Sequence, residues 1–242
     1  MGCRHRAGVL LLGVQGAGKS LSAKAIATAW KRPLMKLDAG TLYDRYIGES
    51  ERRLRDALHQ AESMSPVVLW IDEIEKGFAG ASSNSTDGGL SRRMFGSLLS
   101  WMQEHTRPVF LVATANDIAA LPPELLRKGR FDEIFFVDLP GEEARGQIFR
   151  IHLERRGQTV AGFDLPALVA QSGGFSGAEI EQAVVSGLHG VFARRAAGES
   201  GAGLDSAGVL AVLKESPPLS VTMREQIAEL RQWAVGRCVP AD

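Results

Sequence analysis

The sequence predicts an α/β fold in which a five-stranded parallel sheet, flanked by helices, is followed by a small helical domain. Short apolar runs without polar interruptions alternate with helical patterns along the first part of the chain, as in strands that are buried on both faces. Strands separated by helices imply right-handed crossovers and a parallel sheet with helices on both sides. Beyond about residue 140 only helical patterns are evident. We therefore expect two domains, residues 1–140 and 141–242.

The predicted strands are residues 8–12, 34–37, 67–71, 109–113 and 134–137. The predicted helices are residues 19–31, 48–63, 142–154, 176–197 and 222–235, with a weaker helical pattern at 204–213. Residues 77–89 are rich in Ala, Ser, Asn and Gly, and such a composition predicts a flexible loop.

The composition excludes several classes of protein. Of 242 residues, 45% are apolar and 23% are charged, as in an ordinary globular protein. The 28 basic and 28 acidic residues cancel, so nucleic acid is an unlikely partner and no field attracts the chain to a membrane. Two cysteines, Cys3 and Cys238, make neither a disulfide framework nor a metal site. No apolar run reaches the roughly 18 residues of a membrane helix, and we expect a cytoplasmic protein.

A glycine-rich loop joins the first predicted strand to the first predicted helix. It fits the pattern G-x-x-x-x-G-K-S/T, for which we expect about 0.01 chance matches in a chain of this length. Its backbone N–H groups would surround phosphate oxygens, Lys19 would reach the β- and γ-phosphates, and Ser20 would ligate Mg²⁺. The alternative is a glycine turn with an incidental lysine. The predicted nucleotide-binding residues are Gly13, Val14, Gln15, Gly16, Ala17, Gly18, Lys19, Ser20 and Leu21.

An acidic pair, Asp72 and Glu73, follows the third predicted strand. Alone, such a pair is commonly a solvated strand end. After the glycine-rich loop and two crossovers, it matches the second half of a P-loop nucleotide site. Asp72 would bind nucleotide and hold Mg²⁺ together with Ser20, and Glu73 would polarise the attacking water. The sequence thus predicts hydrolysis of a nucleoside triphosphate.

Further segments resemble one family. Residues 112–116 (Val-Ala-Thr-Ala-Asn) and 125–132 (Leu-Leu-Arg-Lys-Gly-Arg-Phe-Asp) resemble the second region of homology of AAA ATPases. Residues 174–179 (Gly-Phe-Ser-Gly-Ala-Glu) resemble the start of that family's lid helix. The resemblance spans about residues 7–197, and it is closest to stand-alone AAA proteins of bacteria and plastids whose role is poorly defined.

The resemblance implies ATP and Mg²⁺ as cofactors, a helical lid and a homo-oligomer, namely a hexameric ring formed with nucleotide. It implies that Asn116 is the sensor 1 residue, that Arg127 and Arg130 are arginine fingers, and that Gly177 and Ala178 form sensor 2. At the end of its strand, Asn116 would lie beside the acidic pair, although it could instead cap a turn. The arginines would reach a neighbouring subunit's γ-phosphate, or they could form surface ion pairs.

The tripeptide Tyr46, Ile47 and Gly48 matches the family's first pore loop. An aromatic side chain at a ring's centre can wedge between side chains of a polypeptide without reading its sequence, and glycine leaves the loop mobile. The alternative is a tyrosine in the hydrophobic core. Residues 77–89 would be the second pore loop or a plain surface loop.

Two departures from the family's pattern stand out. Val14 and Gln15 replace two prolines that many members carry, without loss of a phosphate ligand. Met1 lies a few residues before the first strand, where members have a segment of the adenine pocket, so we expect an isolated ATPase module or a fragment.

The resemblance implies ATP hydrolysis coupled to remodelling or threading of a polypeptide, in the cytoplasm or, in a plastid lineage, the stroma. An ATP-dependent assembly switch and a DNA-associated ATPase are the alternatives, the latter disfavoured by the balanced charge. The family's metalloprotease branch is excluded because the sequence has no H-E-x-x-H.

Overall fold

The computed structural model describes residues 8–42, 49–78, 90–127, 129–199 and 203–241. Its strands form one sheet and are β1 (Gly8–Gly13), β2 (Leu34–Asp38), β3 (Val67–Asp72), β4 (Val109–Ala115), β5 (Glu133–Val137) and β6 (Val239–Pro240). The strand order is β2-β3-β4-β1-β5-β6, and every adjacent pair is parallel. The predicted parallel sheet is therefore confirmed, with one strand more than the predicted five.

The sixth strand is a correction to the sequence analysis, which expects no strand beyond residue 140. β6 pairs with β5, with Phe135 opposite Val239 and Phe136 opposite Pro240. The Ala241 N–H also donates to the Phe136 carbonyl at 3.1 Å. Two residues give no readable apolar run, and proline is tolerated here because an edge strand need not donate on both sides.

The helices are α1 (Lys19–Ala29), α2 (Glu49–Ser63), α3 (Ile74–Phe78), α4 (Leu90–Glu104), α5 (Glu142–Glu154), α6 (Leu165–Gln171), α7 (Gly177–Ala196), α8 (Ser206–Glu215), α9 (Leu219–Thr222) and α10 (Arg224–Ala234). Short 3₁₀ turns lie at Ala39–Leu42, Pro123–Leu126 and Val160–Gly162. The helices α3, α4, α6 and α9 are not among the predicted ones; three of them have seven residues or fewer. In the described ranges, no helix has the length and apolarity that a membrane span requires.

The centre of the sheet is buried because its strands carry almost no polar side chains. Val67, Val68, Leu69, Trp70 and Ile71 of β3 are each at most 3% exposed. On one face of the sheet, Ala23 and Ala27 of α1 pack in a cluster with apolar residues of the strands. Two alanines four residues apart give this helix a flat side that can approach the strands closely.

The chain divides into two compact units. The first comprises Met1–Gly13, Lys19–Val137 and Trp233–Asp242, and the second comprises Val14–Gly18 and Asp138–Gln232. The second unit has its own core of buried residues from α5, α6, α7 and α8, with Phe175 between α6 and α7: Phe149, Leu153, Leu168, Phe175, Ile180, Ala183, Val184, Val209 and Leu213. Whether the functional domains divide at residue 140, as the sequence analysis expects, stays a prediction.

Gly13 closes β1 where that strand is paired with β5. Its φ is +155°, and a Cβ atom there would lie 2.0 Å from the carbonyl oxygen of Val137. Because that oxygen belongs to the backbone of the paired strand, a side chain would force the two strands apart. Glycine at this position is therefore required by the close approach of β1 and β5, independently of any ligand.

We predict that Gly13→Ala lowers the free energy of unfolding by about 3 kcal/mol, at the upper end of ordinary single substitutions. Gly190→Ala is the matched control, because Gly190 lies within α7 and a Cβ there meets nothing within 4 Å. This control should gain up to about 1 kcal/mol from helix propensity. Urea denaturation of the three proteins measures both effects. Equal stability of Gly13→Ala and wild type would contradict the close packing at β1.

Candidate active site

The glycine-rich loop follows β1 and leads into α1, as predicted. Gly16 and Gly18 have φ values of +74° and +107°, a region that residues with side chains rarely adopt. Lys19 is only 5% exposed, and its Nζ donates to the Gly13 carbonyl at 2.8 Å. Burial lowers the pKa of Lys19 to about 8, against the opposing influence of three nearby carboxylates. Lys19 is therefore a buried cation that donates to the backbone at the start of the loop.

The remaining loop residues differ in exposure. Val14 is 2% exposed and Leu21 is 59% exposed, while Gln15 is exposed and Ala17 is half-buried. The Ala17 N–H donates to the Val14 carbonyl at 3.3 Å. Binding of nucleotide by these residues stays a prediction.

Asp72 ends β3 and has three partners. Its Oδ1 accepts from the Thr114 hydroxyl at 2.8 Å and from the Ser20 hydroxyl at 3.4 Å. Its Oδ2 lies 2.9 Å from Nζ of Lys36, a residue of the neighbouring strand β2. Burial would raise the pKa of Asp72, but the hydrogen bonds from Lys36 and Thr114 outweigh it and hold the pKa below its usual value.

Glu73 adopts a positive φ of +48°, which is uncommon for a residue with a side chain. The Thr114 hydroxyl accepts its N–H at 3.1 Å. One carboxylate oxygen accepts from the Asn116 amide Nδ2 at 3.1 Å, and the other lies 2.5 Å from Nζ of Lys76. Backbone and side chain of Glu73 are thus both fixed, in a conformation that turns the chain sharply at the end of β3.

Asn116 follows β4 and lies beside the acidic pair, as predicted. Its side chain donates to Glu73, and its backbone N–H donates to Glu75 Oε1 at 2.9 Å. Glu75 is 6% exposed. Burial raises the pKa of the Glu75 carboxyl, and the hydrogen bond from Asn116 partly offsets this. The structure therefore brings Asp72, Glu73 and Asn116 together, with Glu75 as an additional carboxylate.

The residues predicted to hold Mg²⁺ fit that ion. Ser20 and Asp72 direct a hydroxyl and a carboxylate oxygen toward each other across 3.4 Å, and Mg²⁺ prefers oxygen ligands. In proteins this ion commonly takes one or two protein ligands and fills its other positions with phosphate oxygens and water. The two oxygen atoms of Ser20, next to the glycine-rich loop in sequence, and of Asp72, brought to Ser20 by the fold, match that arrangement.

Gly177 and Ala178 begin α7 and contact the glycine-rich loop within the second unit. The Ala178 N–H donates to the Gly16 carbonyl at 3.2 Å. A Cβ on Gly177 would lie 3.3 Å from the same carbonyl oxygen, so glycine permits the contact. Ser176 and Glu179 form a capping box that fixes this end of the helix.

The two predicted arginine fingers lie on either side of Lys128, which is outside the described residues. Arg130 packs against the end of α4: its Nη1 donates to the Leu99 carbonyl at 3.4 Å. With the Gln103 amide oriented so that its oxygen faces the guanidinium, that oxygen accepts from both Nη atoms. Arg127 is exposed.

Four polar residues of the site are absent from the sequence predictions: Lys36, Glu75, Lys76 and Thr114. Thr114 has the clearest signal in the sequence, because it is a polar residue within an apolar strand. In the structure it is only 2% exposed. Glu75 and Lys76 continue the acidic pair directly. The sequence around Lys36 does not mark it as a site residue, because only the pairing of β2 with β3 brings it to Asp72.

The predicted pore-loop residues Tyr46, Ile47 and Gly48 lie outside the described residues, as does most of segment 77–89. Gly77 and Phe78 of that segment end α3.

Comparisons with known proteins show the family to which this chain belongs. The sequence profile of the "ATPase family associated with various cellular activities (AAA)" matches residues 9–139. The AAA domain-containing protein ycf46 of Guillardia theta is 47% identical over 94% of this chain and 44% of its own length. The ycf46 protein of Pyropia yezoensis is 45% identical over 94% of this chain and 45% of its own length. The chain thus spans less than half of the length of these relatives.

Among solved structures, the AAA domain of FIGL-1 in complex with ADP superimposes with a TM-score of 0.78 at 20% identity, covering 96% of this chain and 79% of that one. At this identity the likeness concerns the fold, and it agrees with the parallel sheet. The profile match covers more than half of the chain, on the same residues that form the glycine-rich loop and the acidic pair. The chain belongs to the AAA family of ATPases.

Proposed function

We propose that this chain binds ATP with Mg²⁺ and hydrolyses it. The observation that carries the proposal is the cluster in which Glu73 touches Asn116 while Asp72 touches Ser20, with the buried Lys19 close to both carboxylates. Lys19 would bind the β- and γ-phosphates, and Ser20 and Asp72 would hold Mg²⁺. When bound, Mg²⁺ supplies positive charge to the phosphate oxygens.

Glu73 would accept a proton from the attacking water, and the Asn116 amide would orient that water or the γ-phosphate. In the described state both oxygens of Glu73 have partners, Asn116 on one and Lys76 on the other. An oxygen with one partner keeps a second lone pair that can accept a hydrogen bond from water, and loss of a partner would free another. The Lys76 side chain is 60% exposed, and an exposed ion pair of this kind is weak because solvent and salt screen it. Lys76 is therefore the partner that leaves at low cost.

Arg130 would complete the site of a neighbouring subunit in a homo-oligomer, a hexamer in its nucleotide-bound form, with Arg127 as a second arginine. The support is the match of residues 125–132 to the family's second region of homology, together with the exposure of Arg127. An arginine supplied in this way stabilises the charge of phosphoryl transfer and is worth about 10³–10⁵ in rate.

We further propose that hydrolysis drives remodelling or threading of a polypeptide through a ring lined by Tyr46, Ile47 and Gly48. The support is the match of this tripeptide to the family's first pore loop. An ATP-dependent assembly switch, which changes its oligomeric state without threading, is the second candidate. A DNA-associated ATPase has no observation in its favour, since the charge of the chain is balanced.

The first test separates hydrolysis from binding. Glu73→Gln keeps the shape of the side chain but removes the proton acceptor, so ATP should bind with unchanged affinity while turnover falls at least 100-fold. Lys19→Ala removes the cation beside the phosphates and should abolish binding. Titration calorimetry with Mg-ATP and phosphate release measure the two properties. Wild-type turnover in Glu73→Gln would contradict the role of this carboxylate.

The second test asks whether Arg130 acts between subunits. Specific activity should rise with protein concentration, and Arg130→Ala should lower it at least 100-fold with little change in ATP affinity. Mixing Arg130→Ala with Glu73→Gln subunits creates some interfaces with an intact arginine and an intact carboxylate, so activity should partly return. Light scattering establishes that the variants assemble together. Failure to recover in such mixtures would mean that Arg130 serves its own subunit or none.

The third test concerns Tyr46 and decides between threading and switching. If its ring faces a pore, Tyr46→Ala should leave basal ATP turnover within a few-fold of wild type and should not lower Tm. Loss of turnover stimulated by an unfolded polypeptide would support threading. Truncating a buried tyrosine would instead cost about 3–5 kcal/mol. A Tm lower by about 10 °C, the shift expected from such a loss, would exclude the pore and favour the switch.

A further inference from the structure

The buried carboxylate of Glu75 belongs to neither the predicted metal site nor the predicted water-activating pair. We infer that Glu75 is a positioning residue for hydrolysis: by accepting the backbone N–H of Asn116, it sets the place from which the Asn116 amide holds Glu73. The inference rests on the proposed ATP hydrolysis and adds a residue to it.

The contacts of Asn116 carry the inference. Its backbone N–H donates to Glu75 Oε1 at 2.9 Å, and its side-chain amide donates to Glu73 Oε1 at 3.1 Å. Residues 73 and 75, which lie on either side of Ile74 at the start of α3, therefore hold Asn116 at two points. A shift of the Asn116 backbone would move the amide away from the Glu73 carboxylate.

Burying the carboxyl group of Glu75 is energetically unfavourable. The residue is 6% exposed, and within the described part of the chain its Oε2 atom has no hydrogen-bond partner. Leaving a buried polar oxygen without a partner is unfavourable, and an apolar side chain of equal length would pack there more easily. Among the described contacts of Glu75, the hydrogen bond that Oε1 accepts from the Asn116 N–H is the one that an apolar side chain could not make.

The negative charge of Glu75 gives it a second candidate role, since it opposes the effect of burial on the pKa of Lys19. The two roles make different demands on the side chain. An acceptor for the Asn116 N–H needs a carbonyl-type oxygen and no charge, whereas a counter-charge for Lys19 needs an ionised carboxylate. We assign the acceptor role because Asn116 is the residue that Glu75 contacts directly.

Two substitutions of nearly equal length separate these roles. Glu75→Gln keeps an oxygen that can accept from Asn116 and removes the charge, whereas Glu75→Met fills the same space without an acceptor. Steady-state ATP hydrolysis should give a kcat at least tenfold lower for Glu75→Met and within threefold of wild type for Glu75→Gln. The KM for ATP should stay within threefold in both. Glu104→Ala, which removes an exposed acid at the end of α4, is the surface control and should match wild type.

A double-mutant cycle with Asn116→Ala tests whether Glu75 acts through Asn116. The Asn116→Ala protein keeps the backbone N–H but lacks the amide, so adding Glu75→Met should lower its kcat by less than twofold. Circular dichroism and Tm establish that each variant is folded. A wild-type kcat in Glu75→Met, an equal loss in Glu75→Gln, or a full additional loss in the double variant would each overturn the inference.

The experiment also distinguishes failure of the inference from failure of the proposed function. If wild-type protein, assayed over a range of concentrations that includes its assembled form, does not hydrolyse ATP, the proposed function fails and the inference fails with it. If wild type is active, Glu73→Gln is inactive and Glu75→Met is unimpaired, the proposed function holds and the positioning role of Glu75 alone is wrong.

Discussion

The hydroxyl group of Thr114 makes the two hydrogen bonds on which the geometry of the acidic residues depends. It donates to the Asp72 carboxylate at 2.8 Å and accepts the Glu73 N–H at 3.1 Å. Thr114 is 2% exposed, so water cannot readily replace either bond. The parallel pairing of β3 with β4, with Ile71 opposite Ala113, brings the hydroxyl to this position. One buried side chain thus fixes both the carboxylate of the predicted metal site and the turn that carries Glu73.

The same two strands place the rest of the cluster. The chain runs from the end of β4 directly to Asn116 and from the end of β3 through Glu73 into α3, so the residues at the end of each strand contact those at the end of the other. The positive φ of Glu73 is a conformation that costs energy in most surroundings. Here the hydrogen bonds from Thr114 and Asn116 offset that cost. Glu73 is therefore both the residue with the unfavourable backbone conformation and the residue predicted to polarise the attacking water.

Three lysines lie near the carboxylates, in two different environments. Lys19 is buried and held by the loop backbone, whereas the side chains of Lys36 and Lys76 are 46% and 60% exposed where they pair with Asp72 and Glu73. The pairing of Lys76 with Glu73 is the more exposed of the two, so solvent screens it more strongly. Each carboxylate of the acidic pair thus has a lysine beside it and a hydrogen-bond donor from β4 or the residue that follows it.

The local features of this protein can be predicted from its amino-acid sequence. A glycine-rich loop, an acidic pair and short apolar strands are continuous segments, and their chemistry can be read without knowing what lies beside them. From these features the α/β class, the parallel sheet, the AAA family and the contact between Asn116 and the acidic pair could be predicted. The capping box of α7 is likewise a local pattern, since Ser176 and Glu179 are three residues apart.

The tertiary structure decided which distant residues share the site. Lys36 reaches Asp72 only because β2 is the neighbour of β3, and Thr114 reaches both acids only through the register of β3 and β4. Strand β6 forms because β5 offers a free edge, which two residues of sequence cannot reveal. The role of Glu75 as a buried acceptor depends on the path of the chain after β4. In each case the contact joins residues that are far apart in the sequence, and the local hydrophobic pattern does not show which distant residues will be neighbours.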